Sequence, residues 1–212
     1  MTTSLSADQV RAALAKVGED TVAQAETLRE LDAAIGDGDL GITVTLGFGA
    51  VAEGLPALAD ADIGTTLMRS GMSFNRKAAS TFGALFATMM MRAARVAKGL
   101  DEVDAGGVAE MLAAAAEGVK ERGKADVGDK TLLDALVPAS EAMAQAVDEG
   151  LSLAEGLARA AAAAEAGAEA TIELKSKAGR SSWFSDRTAG IKDPGATAMA
   201  IMLRSLSEYV GG

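Results

Sequence analysis

The feature that most constrains the fold is a succession of helix-start signals, each followed by an apolar stretch of helical period and most closed by glycine. Ser6-Ala-Asp-Gln9 and Ser152-Leu-Ala-Glu155 are capping boxes, in which the serine hydroxyl and the Gln or Glu three residues on satisfy the first backbone N–H groups of a helix. Asp60-Ala-Asp62, Asp104 and Asp129 stand where an N-cap is expected, and Asp193-Pro194 joins an N-cap to proline at the first helical position. These signals predict helices from Ser6 to about Val17, Thr21 to Asp32, Gly41 to Gly54-Leu55-Pro56, Asp62 to about Asn75 and Ala78 to Lys98. Further helices follow from Asp104 to Arg122-Gly123, Asp129 to about Asp148 with Pro138 bending it, Ser152 to about Leu174, and Asp193 to Tyr209-Val210. Val17-Gly18-Glu19-Asp20 reads as a break. Met89, Met90 and Met91 are consecutive and cannot share one face, so their helix is expected to be buried on most sides.

Composition agrees with close-packed helices. Apolar residues make up 49% of the chain and aromatics only 3%, so alanine, leucine and methionine fill the core positions where a sheet would use β-branched and aromatic residues. The reading is an all-α chain of eight or nine alternating helices, residues 1–212 forming one domain, with no strand and no internal repeat. One stretch, Lys175 to Lys192, is too long for a simple connection. Its Gly179, Arg180, Ser181, Ser182, Trp183 and Arg187 suit a flap over an anionic ligand; the plainer alternative is a mobile loop.

Charge and residue inventory exclude several functions. A net charge of −10 argues against nucleic acid or an anionic membrane as partner. With no cysteine there is no disulfide or thiolate chemistry, and with no histidine there is no imidazole base, phosphocarrier or covalent capture of a carbonyl. Phosphoryl chemistry, if present, falls to Asp, Lys, Arg and metal, or to a histidine supplied by another chain. No basic, apolar leader opens the chain and no uncharged apolar run reaches about 18 residues, so a cytoplasmic protein is expected.

The chemistry concentrates in Leu31-Asp32-Ala-Ala-Ile35-Gly36-Asp37-Gly38-Asp39-Leu40-Gly41-Ile42-Thr43. Three carboxylates this close repel one another unless a cation joins them. Hard oxygen ligands beside a helix start suit Mg²⁺ and the phosphates it carries. The alternatives are a solvated Asp-Gly turn and a calcium loop. The EF-hand pattern begun at Asp37 fails, because Phe48 falls where the bidentate Glu belongs.

Asp32 with Ile35-Gly-Asp-Gly-Asp39, then Gly128-Asp-Lys-Thr-Leu-Leu-Asp134 with Pro138-Ala139, then Gly179-Arg180-Ser181 and Asp193-Pro-Gly-Ala-Thr197, occur in one order across almost the whole chain. The set resembles the nucleotide-binding L subunit of dihydroxyacetone kinase, the DhaL family. The resemblance implies an antiparallel eight-helix barrel with a nucleotide, ADP or ATP, at one rim. It implies that Asp32, Asp37 and Asp39 hold two Mg²⁺ ions, and that Leu40, Gly41, Ile42 and Thr43 form the turn on the phosphates. Gly123 and Leu132 match positions lining the base and sugar, Arg180 a catalytic or clamping arginine, and Asp193, Pro194 and Gly195 the helix start beside the nucleotide.

The implied partner is a K-type subunit that carries dihydroxyacetone or a related keto sugar, with a phosphotransferase-system subunit as phosphodonor in some members. A non-catalytic nucleotide-binding regulator is the alternative role. Two departures stand out: Leu40 where members usually carry His, and Ala79-Ser80-Thr81-Phe82-Gly83 in place of a glycine-rich run. Ser80 and Thr81 are left to meet phosphate, with Asn75, Arg76 and Lys77 adding charge just before them, and a tetrulose such as erythrulose becomes an alternative sugar. Lys130 is read as a solvated lysine in a first helical turn, with a cationic role at the site as the rival.

Overall fold

The computed structural model describes residues 3–178 and 188–212. Nine α-helices carry most of these: α1 (Ala7–Ala23), α2 (Ala25–Ile35), α3 (Leu40–Gly54), α4 (Ile63–Lys77), α5 (Thr81–Val96), α6 (Ala105–Gly123), α7 (Leu133–Asp148), α8 (Leu153–Ala170) and α9 (Pro194–Gly211). Their mutual packing closes a ring. From α3 each helix packs on the next through α9, α9 packs on α1, and α1 returns to α3. Eight helices thus form a barrel wall, and α2 is the ninth, seated against α3 and α9.

Neighbouring helices run antiparallel where glycines record the contact. A Cβ on Gly64 would meet Ala94 and Ala97, and one on Gly71 would meet Met90 and Ala87, so α4 and α5 run in opposite directions. Along α7 and α8, Gly156 faces Met143 and Gly167 faces Asp134. The second contact accounts for Pro138 inside α7. Proline has no N–H for the Asp134 carbonyl one turn back, and a Cβ on Gly167 would lie 2.0 Å from that oxygen, so α8 closes over the freed acceptor with only a glycine.

The barrel is filled by one continuous apolar cluster. On the side that carries α3, α4 and α5, Phe48, Phe74 and Phe86 pack edge-on or tilted with centroids 4.4–5.4 Å apart. Phe74 is fully buried because Gly47 has no side chain to occupy its place. Burying a side chain of this size stabilises by roughly 1.5–3 kcal/mol.

Several boundaries differ from the sequence reading. Gly18 does not break a helix: α1 runs through it, and the glycine admits the Phe48 ring, whose Cδ1 lies 3.1 Å from where a Cβ would be. α4 runs to Lys77 rather than Asn75, and the long helix begins at Thr81 rather than Ala78 because Ser80 is its N-cap. α7 starts at Leu133 and not after Asp129, for a reason given below. The last turn before Leu174 is 3₁₀. The expected absence of strands is also corrected: Ser4–Ser6 and Glu102–Asp104 pair antiparallel, Leu5 opposite Val103. A three-residue strand is too short to show an alternation in sequence.

The stretch Leu40–Leu58 is long and apolar enough to cross a membrane by length and composition, Glu53 within it notwithstanding. In the fold it supplies a barrel wall, with Val44, Phe48 and Val51 in the core.

Candidate nucleotide and metal site

The site forms where α2 hands over to α3. Asp32 sits in the last turn of α2, and its Oδ2 accepts from the Leu40 N–H at 3.1 Å, so the carboxylate ties the end of one helix to the start of the next. The connection is built to bring Asp37 and Asp39 back to it. Gly38 turns with φ +74°, a region L side chains rarely adopt. Gly41 lets α2 and α3 touch, since a Cβ there would lie 2.3 Å from the Ala25 carbonyl. As a result one carboxylate oxygen from each of Asp32, Asp37 and Asp39 lies within 4.8 Å of the others. Burial, and then the charge of Asp32, push Asp39 above the ordinary carboxylate range. An all-oxygen, threefold acidic set with two members exposed is the donor set of a hard divalent cation that keeps water or phosphate in its other positions.

These carboxylates open onto a cavity of about 540 Å³. Two helix starts face it. α3 begins at Leu40; its first-turn N–H groups include those of Gly41 and Ile42, while Thr43 N–H donates to the Asp39 carbonyl at 2.9 Å. α5 begins after Ser80, whose Oγ accepts from Gly83 N–H at 3.0 Å and from the Thr43 hydroxyl at 3.4 Å. Thr81 stands exposed on the same rim. The far wall is apolar: Phe82, Leu85, Val119 and Leu132, with Gly123 and Ala125 between them.

The third wall comes from the start of α9. Asp193 caps it, Oδ1 accepting from Ala196 N–H at 2.7 Å, and Pro194 and Gly195 line the cavity. Asp193 is almost wholly buried, which raises its carboxyl to about 7 against the pull of the Ala196 N–H; the neighbouring Asp134 adds to the rise and Lys130 opposes it. The loop before α7 is folded over that helix by Asp134, whose two oxygens accept from Gly128 N–H at 2.6 Å and Thr131 N–H at 2.7 Å. This fold-back delays α7 to Leu133 and displaces the expected cap at Asp129. It places Lys130, at φ +61°, in the interior. Its ammonium, with three N–H donors, lies within hydrogen-bond distance of the carbonyls of Thr171 (2.7 Å), Leu174 (3.0 Å), Thr188 (2.6 Å) and Ile191 (2.6 Å). The lysine read as solvated is 1% exposed.

Of the residues singled out in the sequence, Asp32, Asp37, Asp39, Leu40, Ser80, Thr81, Gly123, Leu132, Asp193, Pro194 and Gly195 line this one cavity. Gly41 and Thr43 are buried beside it in α3, and the Ile42 side chain points to solvent. Arg180, with the rest of the predicted flap from 179 to 187, lies outside the described residues. Sequence reasoning did not single out Leu85, Val119 or Arg122 as lining residues. Arg122 carries only the generic mark of a cation in a last helical turn.

The profile of the DAK2 domain matches residues 34–208. The chain is 37% identical over 204 residues to the "PEP-dependent dihydroxyacetone kinase, ADP-binding subunit DhaL" of Escherichia coli, covering 96% of this chain and 97% of that one. It is 34% identical over 200 residues to the L-erythrulose kinase of Pectobacterium atrosepticum, covering 93% of this chain and 34% of that protein. Among solved structures it is similar to the dihydroxyacetone kinase of C. freundii in complex with AMP-PNP and Mg²⁺, with a TM-score of 0.76 and 26% identity over 98% of this chain and 35% of that one. The chain therefore spans about a third of these two longer kinases and nearly all of the bacterial subunit. A ring of eight helices with an acidic triad at the α2–α3 junction, joined to a family match over most of its length, makes this chain a member of the DAK2-domain family, that of the L subunits of dihydroxyacetone kinase.

Proposed function

We propose that this chain is the Mg²⁺-dependent nucleotide-holding unit of a small-ketose kinase. The observation that carries the reading is three carboxylates within 4.8 Å of one another at the mouth of a cavity walled by two helix starts and an apolar slot. Asp32, Asp37 and Asp39 would hold the metal, two ions by the family resemblance. Bound there, Mg²⁺ supplies charge neutralisation at the terminal phosphates. The N–H groups opening α3 and the Ser80 and Thr81 hydroxyls bind phosphate oxygens. Phe82, Leu85, Val119 and Leu132 enclose the base and keep water from it. Arg180 is the cation assigned to the migrating phosphoryl group.

The chain contains neither histidine nor cysteine, so the acceptor sugar is assigned to a K-type module. Transfer to a hydroxyl of dihydroxyacetone or a tetrulose fits the named activities of the relatives. A relative named as an ADP-binding, PEP-dependent subunit favours a resident ADP recharged by a phosphotransferase-system subunit; a relative solved with AMP-PNP favours direct use of ATP.

Calorimetric titration of the nucleotide-stripped chain with ADP and ATP, with and without Mg²⁺, tests the reading. Mg²⁺-dependent binding that Asp37→Asn abolishes is the expected result, and unchanged affinity in that variant removes the metal assignment. Tight ADP binding without phosphoryl transfer to any K-type module would favour the regulatory role.

A further inference from the structure

We propose that the outer face of α3, with the adjoining face of α4, is the surface on which the protein module carrying the keto sugar docks; this rests on the kinase reading above.

A barrel-wall helix normally turns polar residues outward. α3 does not. Ile42, Leu46, Gly49 and Glu53 fall at i, i+4, i+7 and i+11 on one outward stripe, and Ile42 and Leu46 are 59% and 43% exposed. Packing does not require glycine at position 49. A Cβ there would meet nothing within 4 Å, whereas one on Gly47 would strike the Phe74 ring at 2.4 Å. Glycine in mid-helix is unfavourable relative to alanine. What it provides at this position is a flat place in an apolar stripe, where another backbone can approach.

α4 packs on α3 and carries a matching outer face. Met68, Arg69, Met72 and Arg76 lie along it, both methionines well exposed. Arg69, Arg76 and the neighbouring Lys77 make no ion pair among the described residues, in a chain of net charge −10. Methionine adapts its shape to a partner, and arginine is enriched where proteins meet. The complementary face is therefore apolar at its centre and acidic at its edge. An anionic bilayer is disfavoured by the overall charge.

Position identifies the occupant. α3 begins one residue after Asp39, and α4 ends three residues before Ser80, so this face borders the phosphate end of the cavity. A phosphoryl acceptor has to arrive there. The neighbouring gap among Phe82, Leu85, Phe86, Met89, Leu132 and Met199 has no room for a sugar. With no histidine or cysteine in this chain to capture a ketose, the kinase reading brings the acceptor there on another protein surface.

Gly49→Gln, Met72→Glu and Arg69→Glu test the assignment in the full chain. Each is compared with the unaltered chain for melting temperature, for Mg²⁺–ADP affinity, and for association with and phosphoryl transfer to a K-type dihydroxyacetone-binding subunit. Expected are a melting temperature unchanged, or raised for Gly49→Gln, and nucleotide affinity within about twofold, with association weakened by about tenfold or more. Transfer should fall in parallel and recover at high K-subunit concentration. Association and transfer equal to those of the unaltered chain would overturn the docking surface and leave the kinase reading standing. If the unaltered chain binds Mg²⁺–ADP yet neither associates nor transfers, the kinase reading falls and the surface with it. Binding to neutral phosphatidylcholine vesicles that the variants lose, with K-subunit association intact, would assign the face to a membrane instead.

Discussion

Lys130 keeps an ammonium in the protein interior because four carbonyl oxygens surround it, at 2.6–3.0 Å. Burial pushes its pKa down, and the carboxyls of Asp193 and Asp134 oppose that. Its partners join the end of α8 to the backbone just before α9. Lys130→Met would strip this donor from the carbonyls of Leu174 and Ile191, and leave those of Thr171 and Thr188 with only the N–H groups of Leu174 and Ile191, at a cost of about 3 kcal/mol, a fall of roughly 6–12 °C in Tm for a domain of this size. A melt within a degree or two of the unaltered chain would show the carbonyls find other donors. Asp193 gives a pH signature. Its carboxyl holds its proton up to about pH 7 in the folded chain, against 3.8 for an ordinary aspartate. Between these values the folded state binds more protons than the unfolded one, so this group's contribution is full at low pH and is lost as pH rises to about 7, by an amount on the order of 4 kcal/mol. Asp193→Asn, which keeps the oxygen for Ala196 N–H, should flatten that part of the stability profile between pH 4 and 8. An identical slope in the variant would assign the dependence elsewhere. Neither role could be read from one dimension: both residues look like solvent-facing charges at helix starts until the Asp134 fold-back buries one and α9 seats the other.

At the scale of the elements, the capping signals located most helix starts because a cap is a local hydrogen bond, complete within four residues. Ser6, Asp62, Asp104, Ser152 and Asp193 all cap the helices that follow them. The failures are also physical. Gly18 and the start of α7 were misread because a glycine placed for packing looks the same as one placed to stop a helix, and because Asp134 reaches back over the residues before it. The α2–α3 junction shows how an element boundary makes a site: Gly41 lets the helices approach, and their approach brings Asp32 to Asp37 and Asp39. Gly41→Ala should force them apart, at a cost of about 1–3 kcal/mol, and weaken Mg²⁺–nucleotide binding as well. Calorimetry showing unaltered nucleotide affinity would separate the junction from the site. Gly49→Ala, eight residues along the same helix, has the opposite sign, a gain of about 0.5–1 kcal/mol, because only helix propensity changes in open space. Chemical denaturation of the two variants side by side reads both.

At the scale of the molecule, the cavity draws on α2, α3, α5, α6, α7 and α9, so it exists only when the ring is closed. A ligand of this cavity binds the folded chain and not the unfolded one. Mg²⁺ with ADP at a hundred times its dissociation constant should then stabilise by about 2.7 kcal/mol and raise Tm by roughly 5–10 °C. Asp37→Asn should abolish that rise, because one of the three carboxylates that hold the metal is gone. A thermal-shift series in Mg²⁺ and ADP decides it.

The sequence by itself determined that the chain is helical and where most helices begin, since propensity and capping act over a turn or two. It also placed three carboxylates within eight residues, near enough in the chain for a single helix junction to gather them. Only the tertiary structure decided that the eight helices close into a ring with α2 set outside it. It alone turned Lys130 inward, set Leu85, Val119 and Arg122 across from the acidic cluster, and left the outer stripe of α3 bare. Those outcomes depend on which faces meet between helices far apart in the chain, and a periodic apolar pattern says that a face is buried without saying against what.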